Sequence, residues 1–300
     1  MFGSNSKVTN IDIQYKSSEN GKYIRELDDN ERISIAIPQS IILDDTMDDI
    51  RISLFSLFYV RGGKDGMFYL SMTEIIKWLK KNPDRHKGNT NHKVYKAVSS
   101  LKNKGYISYD EKAVKVEGKQ GKPTVLWDKF FPIRFNYDKV FDETMFSYDD
   151  EIRRSFAVVY WDEVLKITKF QNESTQNIYR NNPAILLVFS YLRLRLGKRK
   201  KGWIAAKDMY YRKISFDTGV SERKVSECVN ALWNGLGLIY YETLKAVRLE
   251  DGDYRRNTTL FSSVYHRGHI NGKPVLIAEG KDYYLNEVQR YKEEVLGVYK

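Results

Sequence analysis

Few residues of the sequence have the types and spacing that catalysis needs. His266 and His269 are separated by two residues and lack a neighbouring Cys or carboxylate that would complete a zinc site. Asp251 and Asp253 flank a glycine between two strand-like runs, which is typical of a hairpin turn. The glycines and lysines of residues 118–123 do not have the spacing of a phosphate-binding loop. We therefore expect no catalytic residue, no metal and no cofactor.

A tyrosine nucleophile is the remaining route to an enzyme. The sequence contains 22 tyrosines, but no pattern around them indicates an activating base. The alternating His-hydrophobic-His pattern of nicking initiators is also missing from the sequence. A primase or a nicking relaxase is therefore a minor alternative to a protein that acts by binding.

The residues best suited to contact a ligand are polar and basic side chains on two helices. On each helix we expect these side chains to lie opposite an apolar stripe, where they can contact groove edges and phosphates of DNA. On the first helix the set consists of Asn91, His92, Lys93, Tyr95, Lys96 and Ser99. On the second helix it consists of Ser221, Arg223, Lys224, Ser226 and Asn230.

Two of these features have a more specific interpretation. Arg223 is the candidate for reading a guanine, because a guanidinium can bond both acceptors on the edge of that base. The basic run of Lys198, Arg199, Lys200 and Lys201 would bind phosphates if it lies beside the groove, and a solvated loop is the alternative.

The positive charge is concentrated in the segments that contain these helices. The chain has 300 residues and a net charge of +11, from 50 Lys and Arg against 39 Asp and Glu. Lys and Arg outnumber Asp and Glu by 16 to 10 in residues 36–127 and by 15 to 8 in residues 181–262. Two separate basic segments are what a protein that attracts a polyanion at two places would have.

The first basic segment has the element order of a winged helix. Apolar residues at helical spacing alternate there with glycine, proline and capping signals. The predicted elements are, in chain order, a helix over residues 48–60, an extended piece over 67–70, a helix capped by Ser71 and Glu74, a helix from Asn91 to Gly105, a strand over 106–109 and a hairpin over 113–127.

The second basic segment repeats this order. It contains a helix over residues 183–196, a helix over 209–217, the turn Thr218-Gly219-Val220-Ser221, a helix over 222–236 and a hairpin over 246–261. A glycine turn followed by a capped helix is typical of a helix-turn-helix. The exit Gly237-Leu238-Ile239 lies 132 residues after Gly105-Tyr106-Ile107, which indicates a divergent internal repeat.

We therefore predict an α+β protein with two winged-helix domains, each a helix-turn-helix with a β-hairpin wing, joined by an ordered α/β connector. The predicted parts are an N-terminal extension over residues 1–35, the first winged helix over 36–127, the connector over 128–180, the second winged helix over 181–262, and a tail over 263–300. The tail is predicted to contain a strand over 274–278 and a helix over 283–296.

The sequence resembles the tandem winged-helix replication initiators of bacterial plasmids and phages, and more distantly the winged-helix replisome loaders. The similar residues are Ile35-Ala36-Ile37-Pro38 before the first helix, the two glycine exits and the turn at Thr218-Gly219-Val220-Ser221. The resemblance implies binding to origin repeats through two recognition helices in successive major grooves, and recruitment of host replication proteins. The first module departs from the pattern because residues 82–90 are a long turn without the compact glycine.

The main hypothesis is a sequence-specific double-stranded DNA-binding protein that acts as a replication initiator. A winged-helix transcriptional regulator is the alternative, and a protein-binding adaptor is a third. The expected partners are double-stranded DNA, with host replication proteins and a second copy in a homodimer as further candidates. The single cysteine and the absence of a long apolar run predict a cytoplasmic location and no membrane partner.

Overall fold

The structure is a computed structural model of the 300-residue chain. It describes residues 16–17, 22–79, 89–117, 123–144, 156–174, 179, 182–195, 211–244, 247–248, 254–255, 258–263, 265–279, 285–286, 288–290 and 293. The predicted phosphate-binding run of Lys198, Arg199, Lys200 and Lys201 lies outside the described residues, as does the hairpin turn at residues 251–253.

The described residues form helices and short strands in alternation. The helices are α1 Asp29–Arg32, α2 Gln39–Ile42, α3 Arg51–Gly62, α4 Met72–Trp78, α5 Asn89–Asn103, α6 Glu111–Val114, α7 Tyr137–Thr144, α8 Trp161–Glu173, α9 Ala184–Arg195, α10 Tyr211–Thr218 and α11 Glu222–Asn230. The strands are β1 Lys16–Ser17, β2 Lys22–Glu26, β3 Ser34–Pro38, β4 Met67–Leu70, β5 Ile107–Ser108, β6 Lys115–Glu117, β7 Pro123–Val125, β8 Phe131–Phe135, β9 Phe156–Tyr160, β10 Ile239–Leu244, β11 Val247–Arg248, β12 Tyr254–Arg255, β13 Thr258–Ser263, β14 Tyr265–Ile270 and β15 Lys273–Glu279.

The chain divides into two compact units. The first unit consists of Ile33–Leu194 and Asp217–Gly219. The second unit consists of Met1–Arg32, Arg195–Phe216 and Val220–Lys300.

Two buried helices form the core of the first unit. In α3 every residue from Arg51 to Phe58 is buried, and in α9 every residue from Ala184 to Leu192 is buried. A helix that is apolar nearly all round must be covered on all sides, and this explains why neither helix has a polar face. The helix predicted over residues 48–60 is observed as α3 over Arg51–Gly62, and the glycine pair ends it, with Gly63 at the C-cap.

Arg51 is a charged residue inside this core and is fully buried. Its guanidinium donates its four shorter hydrogen bonds to the backbone carbonyl oxygens of Ile41 at 2.8 Å, Ile42 at 2.9 Å, Met47 at 3.0 Å and Thr218 at 3.2 Å, and a longer one of 3.4 Å to that of Asp48. Burial lowers the pKa of Arg51, and the carboxylates of nearby aspartates oppose this shift. The side chain therefore ties the loop before α3 to the end of α10.

A three-stranded antiparallel sheet lies against α3 and α5 in the first unit. Its order is β4-β8-β5, with Phe68 opposite Ile133 and Ile107 opposite Phe135. These four side chains are buried, so one face of the sheet belongs to the core. β6 and β7 form an antiparallel hairpin, and β3 pairs with β9.

The second unit contains residues 211–216 of α10, together with α11, a long hairpin and a four-stranded sheet, whereas Asp217 and Thr218 at the end of α10 belong to the first unit. The helix α11 continues as a π-helical turn at Ala231–Gly235. β10 pairs with β13, and β11 pairs with β12 in the same register, as the second hairpin was predicted to do. The sheet has the order β1-β2-β15-β14. The cysteine of the chain, Cys228, is buried in α11.

These groupings differ from the predicted segments in two places. Residues 128–180, predicted as a connector, supply β8 to the sheet with β4 and β5, and β9 to the pair with β3. The N-terminal extension supplies β1 and β2 to the sheet that contains the predicted tail strand β15. Pairing between distant strands leaves no local periodicity in the sequence, so the prediction divided strands that the fold joins.

The described residues thus form a mixed α+β fold with small antiparallel sheets and packed helices. The predicted strand in the tail is confirmed as β15, and the described residues within the predicted helix over 283–296 are helical. None of the helices in the described part of the chain has the length and apolar character that crossing a membrane requires.

Candidate nucleic-acid interface

The helix α5 separates an apolar face from a basic one. Val94, Val98 and Leu101 are buried at helical spacing against α3 and α4, as predicted. His92, Lys93 and Lys96 lie on the exposed side. The helix contains three lysines and no Asp or Glu. Lys102 pairs with Glu111 at 3.0 Å, so among the described residues the unpaired positive charge of this face comes from Lys93 and Lys96 in the first half of the helix.

Asn91 does not belong to this outward surface. The prediction placed it there, but the residue is only 2% exposed. Asn91 precedes Val94 by three residues and Val98 by seven, which puts it on the same helical face as the apolar stripe. Its side chain is therefore removed from the set of groups that could meet a ligand.

The hairpin β6–β7 lies beside the outward face of α5. The Lys115 ammonium of β6 is 5.0 Å from the centre of the Tyr95 ring, a cation–π contact. A hydrogen bond with Tyr95 raises the pKa of Lys115. Lys115 therefore stays charged at neutral pH while it connects the hairpin to the helix.

Three more predicted contact residues of α5 also touch their own module. The Tyr95 side chain is half-buried, and the Ser99 hydroxyl lies 3.4 Å from the Tyr109 hydroxyl. The His92 ring meets the Trp127 ring edge-on, with centroids 5.7 Å apart. Lys93 and Lys96 remain of the predicted set. Both are exposed, and neither forms an ion pair with a described residue.

The turn before α11 has the conformation that the sequence predicts. Gly219 has a φ of +74°, in the left-handed region where a side chain is disfavoured. Ser221 follows at the N-cap position of α11, but its hydroxyl makes no capping hydrogen bond. The prediction of the N-cap position is therefore correct, but the predicted capping hydrogen bond is wrong. The exposed hydroxyl of Ser221 remains available to other partners.

The outward face of α11 differs from that of α5 because its charges cancel. The helix contains Arg223 and Lys224, together with Glu222 and Glu227. Arg223 is 88% exposed, and its Nε lies 3.2 Å from the Glu227 carboxylate. We expected a positively charged helix in each module, and the structure shows this for α5 alone.

The remaining predicted residues of α11 are engaged within the second unit. The Ser226 hydroxyl hydrogen-bonds with Tyr211. The Asn230 side-chain oxygen accepts a hydrogen bond of 2.5 Å from Asn234. Lys224 is partly buried. Arg223 is therefore the group of this set with the most freedom to reach a base.

A tyrosine nucleophile needs a stabilised phenolate, and therefore a lowered pKa. Each described tyrosine whose pKa shift is resolved has a raised pKa instead. Burial raises the pKa of Tyr137 and of Tyr211 to about 12, and it also raises the pKa of Tyr59, Tyr106 and Tyr109. A raised pKa keeps these phenols protonated and less nucleophilic at neutral pH. Among the described residues, no group of three or more His, Cys, Asp or Glu could hold a metal ion.

Comparison with known proteins gives distant structural similarity alone. No protein-family model and no curated protein matches the sequence. Among solved structures, the chain is similar to the crystal structure of domains 2 and 3 of RctB, with 12% sequence identity and a TM-score of 0.33. The similarity covers 81% of this chain and 85% of the RctB chain. Values this low do not transfer a function, so we base the function of this chain on its own residues.

Proposed function

We propose that this chain is a sequence-specific duplex DNA-binding protein with two winged-helix modules and no chemistry of its own. The observation that carries the proposal is the outward face of α5. Lys93 and Lys96 are exposed there, the helix has no acidic residue, and the hairpin β6–β7 brings Lys115 to its side. A basic helix next to a hairpin is suited to a major groove and the adjoining phosphates.

The order of elements supports a winged helix in each module. In the first unit α3, β4, α4, α5, β5 and the hairpin β6–β7 follow one another, and β8 joins β4 to β5. In the second half of the chain α10, the Gly219 turn, α11 and the hairpin β10–β13 follow in the same way. A short helix, a tight turn and a second helix form the frame of a helix-turn-helix.

The two helices have different roles in this proposal. Lysines are compact point charges that suit phosphates, whereas a guanidinium offers a planar fork that suits guanine. We assign Lys93, Lys96 and Lys115 to the phosphates and Arg223 to a base. The Glu227 carboxylate contacts the Nε of Arg223, which leaves the Nη groups of this 88% exposed side chain for a base.

The proposed process is initiation of replication on a plasmid or phage. It is supported by the resemblance of residues 36–262 to tandem winged-helix initiators. Transcriptional regulation is the alternative, because the same motifs occur in regulators. Host replication proteins and a second copy of the chain are proposed as further partners, and the cytoplasm as the location.

The test begins with selection of binding sites from random duplex DNA by the full chain. We expect enrichment of one sequence, which footprinting then locates on natural DNA. Arg223→Ala should lose about 1–3 kcal/mol on the selected site and relax preference at one base pair. Lys96→Ala should weaken binding to every duplex alike.

Arg212→Ala is the matched control, because Arg212 is exposed on α10. It should leave the base preference unchanged. Equal losses on selected and random duplex for Arg223→Ala would refute its role in reading a base. No enriched sequence at all would refute sequence-specific binding.

A further inference from the structure

The sheet β4-β8-β5 has a second face that the duplex proposal does not use. Side chains alternate strictly between the two faces along β4 and β8, with a buried residue following each exposed one. Tyr69 lies opposite Pro132, and Arg134 lies between Met67 and Ser108 on the neighbouring strands. Side chains of directly opposite residues point to the same face of a sheet, so these five side chains share the outer face.

The outer face is apolar and open to solvent. Tyr69 is 65% exposed, and Met67 is 42% exposed. Phe130, directly before β8, continues the alternation and is 55% exposed. One exposed aromatic side chain is common on a protein surface, but two on the same small sheet beside a methionine form a patch that indicates a ligand.

The spacing and the charge of the patch indicate which ligand. Phe130 is two residues from Pro132, so it is a diagonal neighbour of Tyr69, at about 7–8 Å in sheet geometry. This is a suitable separation for stacking two consecutive unpaired bases. The three strands contain no Asp or Glu, and no described carboxylate pairs with Arg134. Both Tyr69 and Phe130 are more than half exposed, so each ring offers surface on which a base can stack.

We infer that the outer face of the β4-β8-β5 sheet is a second nucleic-acid site, which binds single-stranded DNA by stacking unpaired bases on Tyr69 and Phe130. Arg134 lies on the side of Pro132 away from Phe130 and provides a positive charge for a backbone phosphate beside the base stacked on Tyr69. Aromatic side chains bind bases of any sequence, because every base has a stacking surface. The site therefore binds a strand that has already been separated, whereas the outward face of α5 binds duplex.

The test uses the full chain and a fluorescein-labelled oligothymidylate of 20 nucleotides, which forms no duplex. Tyr69→Leu keeps an apolar side chain of similar size and removes the ring, and Phe130→Leu does the same. Each should weaken binding of the oligothymidylate by about fivefold to a hundredfold, which is the usual contribution of one stacked base. Tyr69→Trp should retain binding, and oligothymidylate should quench the fluorescence that the new indole adds.

Two controls separate this site from the proposed duplex site. Both leucine variants should bind duplex DNA as tightly as the native chain, whereas Lys93→Ala with Lys96→Ala should weaken duplex and leave the oligothymidylate unchanged. A native chain that binds the oligothymidylate but not duplex DNA would contradict the proposed function and leave this inference standing. Thermal unfolding checks that the exposed substitutions leave the fold intact.

Two outcomes would overturn the inference. The first is equal binding of the oligothymidylate by the native chain and by both leucine variants. The second is a native chain that self-associates in sedimentation experiments while the leucine variants stay monomeric, with no effect of either variant on the oligonucleotide. That second result would assign the face to contacts between copies of the chain.

Discussion

Arg51 shows how a cation is accommodated in a protein interior without a carboxylate in direct contact. Each of its four principal hydrogen bonds goes to a backbone carbonyl oxygen. Those carbonyls belong to the end of α2, to the loop before α3 and to the end of α10, where the helical hydrogen-bond pattern leaves acceptors unused. One side chain thus satisfies several backbone groups that water cannot reach.

Replacing Arg51 should therefore cost more than the loss of one hydrogen bond. Arg51→Ala leaves four buried carbonyls without this donor, and each unsatisfied buried group costs about 1–3 kcal/mol. We expect the free energy of unfolding in urea to fall by about 3–5 kcal/mol, because several carbonyls lose their donor together and the removed side chain leaves a cavity.

The matched control for Arg51 is Arg61→Ala, on the same helix at an exposed position. Its effect should stay within about 0.5 kcal/mol. Similar unfolding midpoints for the two variants would show that the buried guanidinium does not hold the unit together.

Three residues of α5 show what helical periodicity can and cannot predict. The outward position of Lys93 and Lys96 followed from the spacing of Val94 and Val98 and is confirmed. Asn91 was assigned to the same face because it is polar, although its position on the helix places it with the apolar stripe. Residue type and helical position disagreed there, and the helical position decided the burial.

At the scale of elements, the turn between α3 and β4 depends on two glycines with different surroundings. Gly63 and Gly66 both have a positive φ, of 54° and 69°. A Cβ added to Gly63 would meet nothing within 4 Å, whereas one added to Gly66 would lie 2.7 Å from the backbone oxygen of Phe135. The Phe135 amide also donates a 2.7 Å hydrogen bond to the Gly66 carbonyl.

This difference predicts unequal effects of the same substitution. Gly63→Ala should cost only backbone strain, about 1–2 kcal/mol. Gly66→Ala should cost this amount and about 1–3 kcal/mol more, because backbone atoms of β8 must move. Urea unfolding of the two variants measures the difference, and equal losses would show that β8 does not approach the turn closely.

Local sequence signals predicted elements better than they predicted sheets. β4 and the N-cap of α4, where the Ser71 hydroxyl accepts a 3.1 Å hydrogen bond from the Glu74 amide, were correct from capping and alternation. β8 and β9 were assigned to a connector because their partners lie far away in the chain. One missed hairpin had a local signal. Asn271 and Gly272, both with positive φ, form the two-residue turn between β14 and β15.

At the scale of the whole molecule, the chain has a net charge of +11. The two helices proposed to contact DNA, α5 and α11, differ in how much net positive charge they carry. Three lysines on α5 face no acidic residue on that helix, while two glutamates balance Arg223 and Lys224 on α11. Counterion release depends on the number of phosphates that cations neutralise. The first unit should therefore dominate the salt dependence of binding.

We expect the affinity of the native chain for duplex DNA to fall about a thousandfold between 50 and 200 mM salt, if it neutralises about 6–10 phosphates. Lys93→Ala with Lys96→Ala should reduce the slope of log affinity against log salt by about 2. Titrations at several salt concentrations measure both quantities.

Arg61→Ala with Lys64→Ala removes the same charge from exposed positions outside α5 and should leave the slope unchanged. An affinity of the native chain that does not respond to salt would support the protein-binding adaptor. A reduced slope for the Arg61 and Lys64 pair would move the DNA contact away from α5.

The burial of Cys228 has a practical consequence for such measurements. It is the single thiol of the chain and is enclosed in the packed side of α11. A cysteine introduced at an open position such as Ser108 would consequently be the one that reacts with a maleimide dye in the native state. Distances between labels could then be followed by energy transfer without first deleting the natural sulfur.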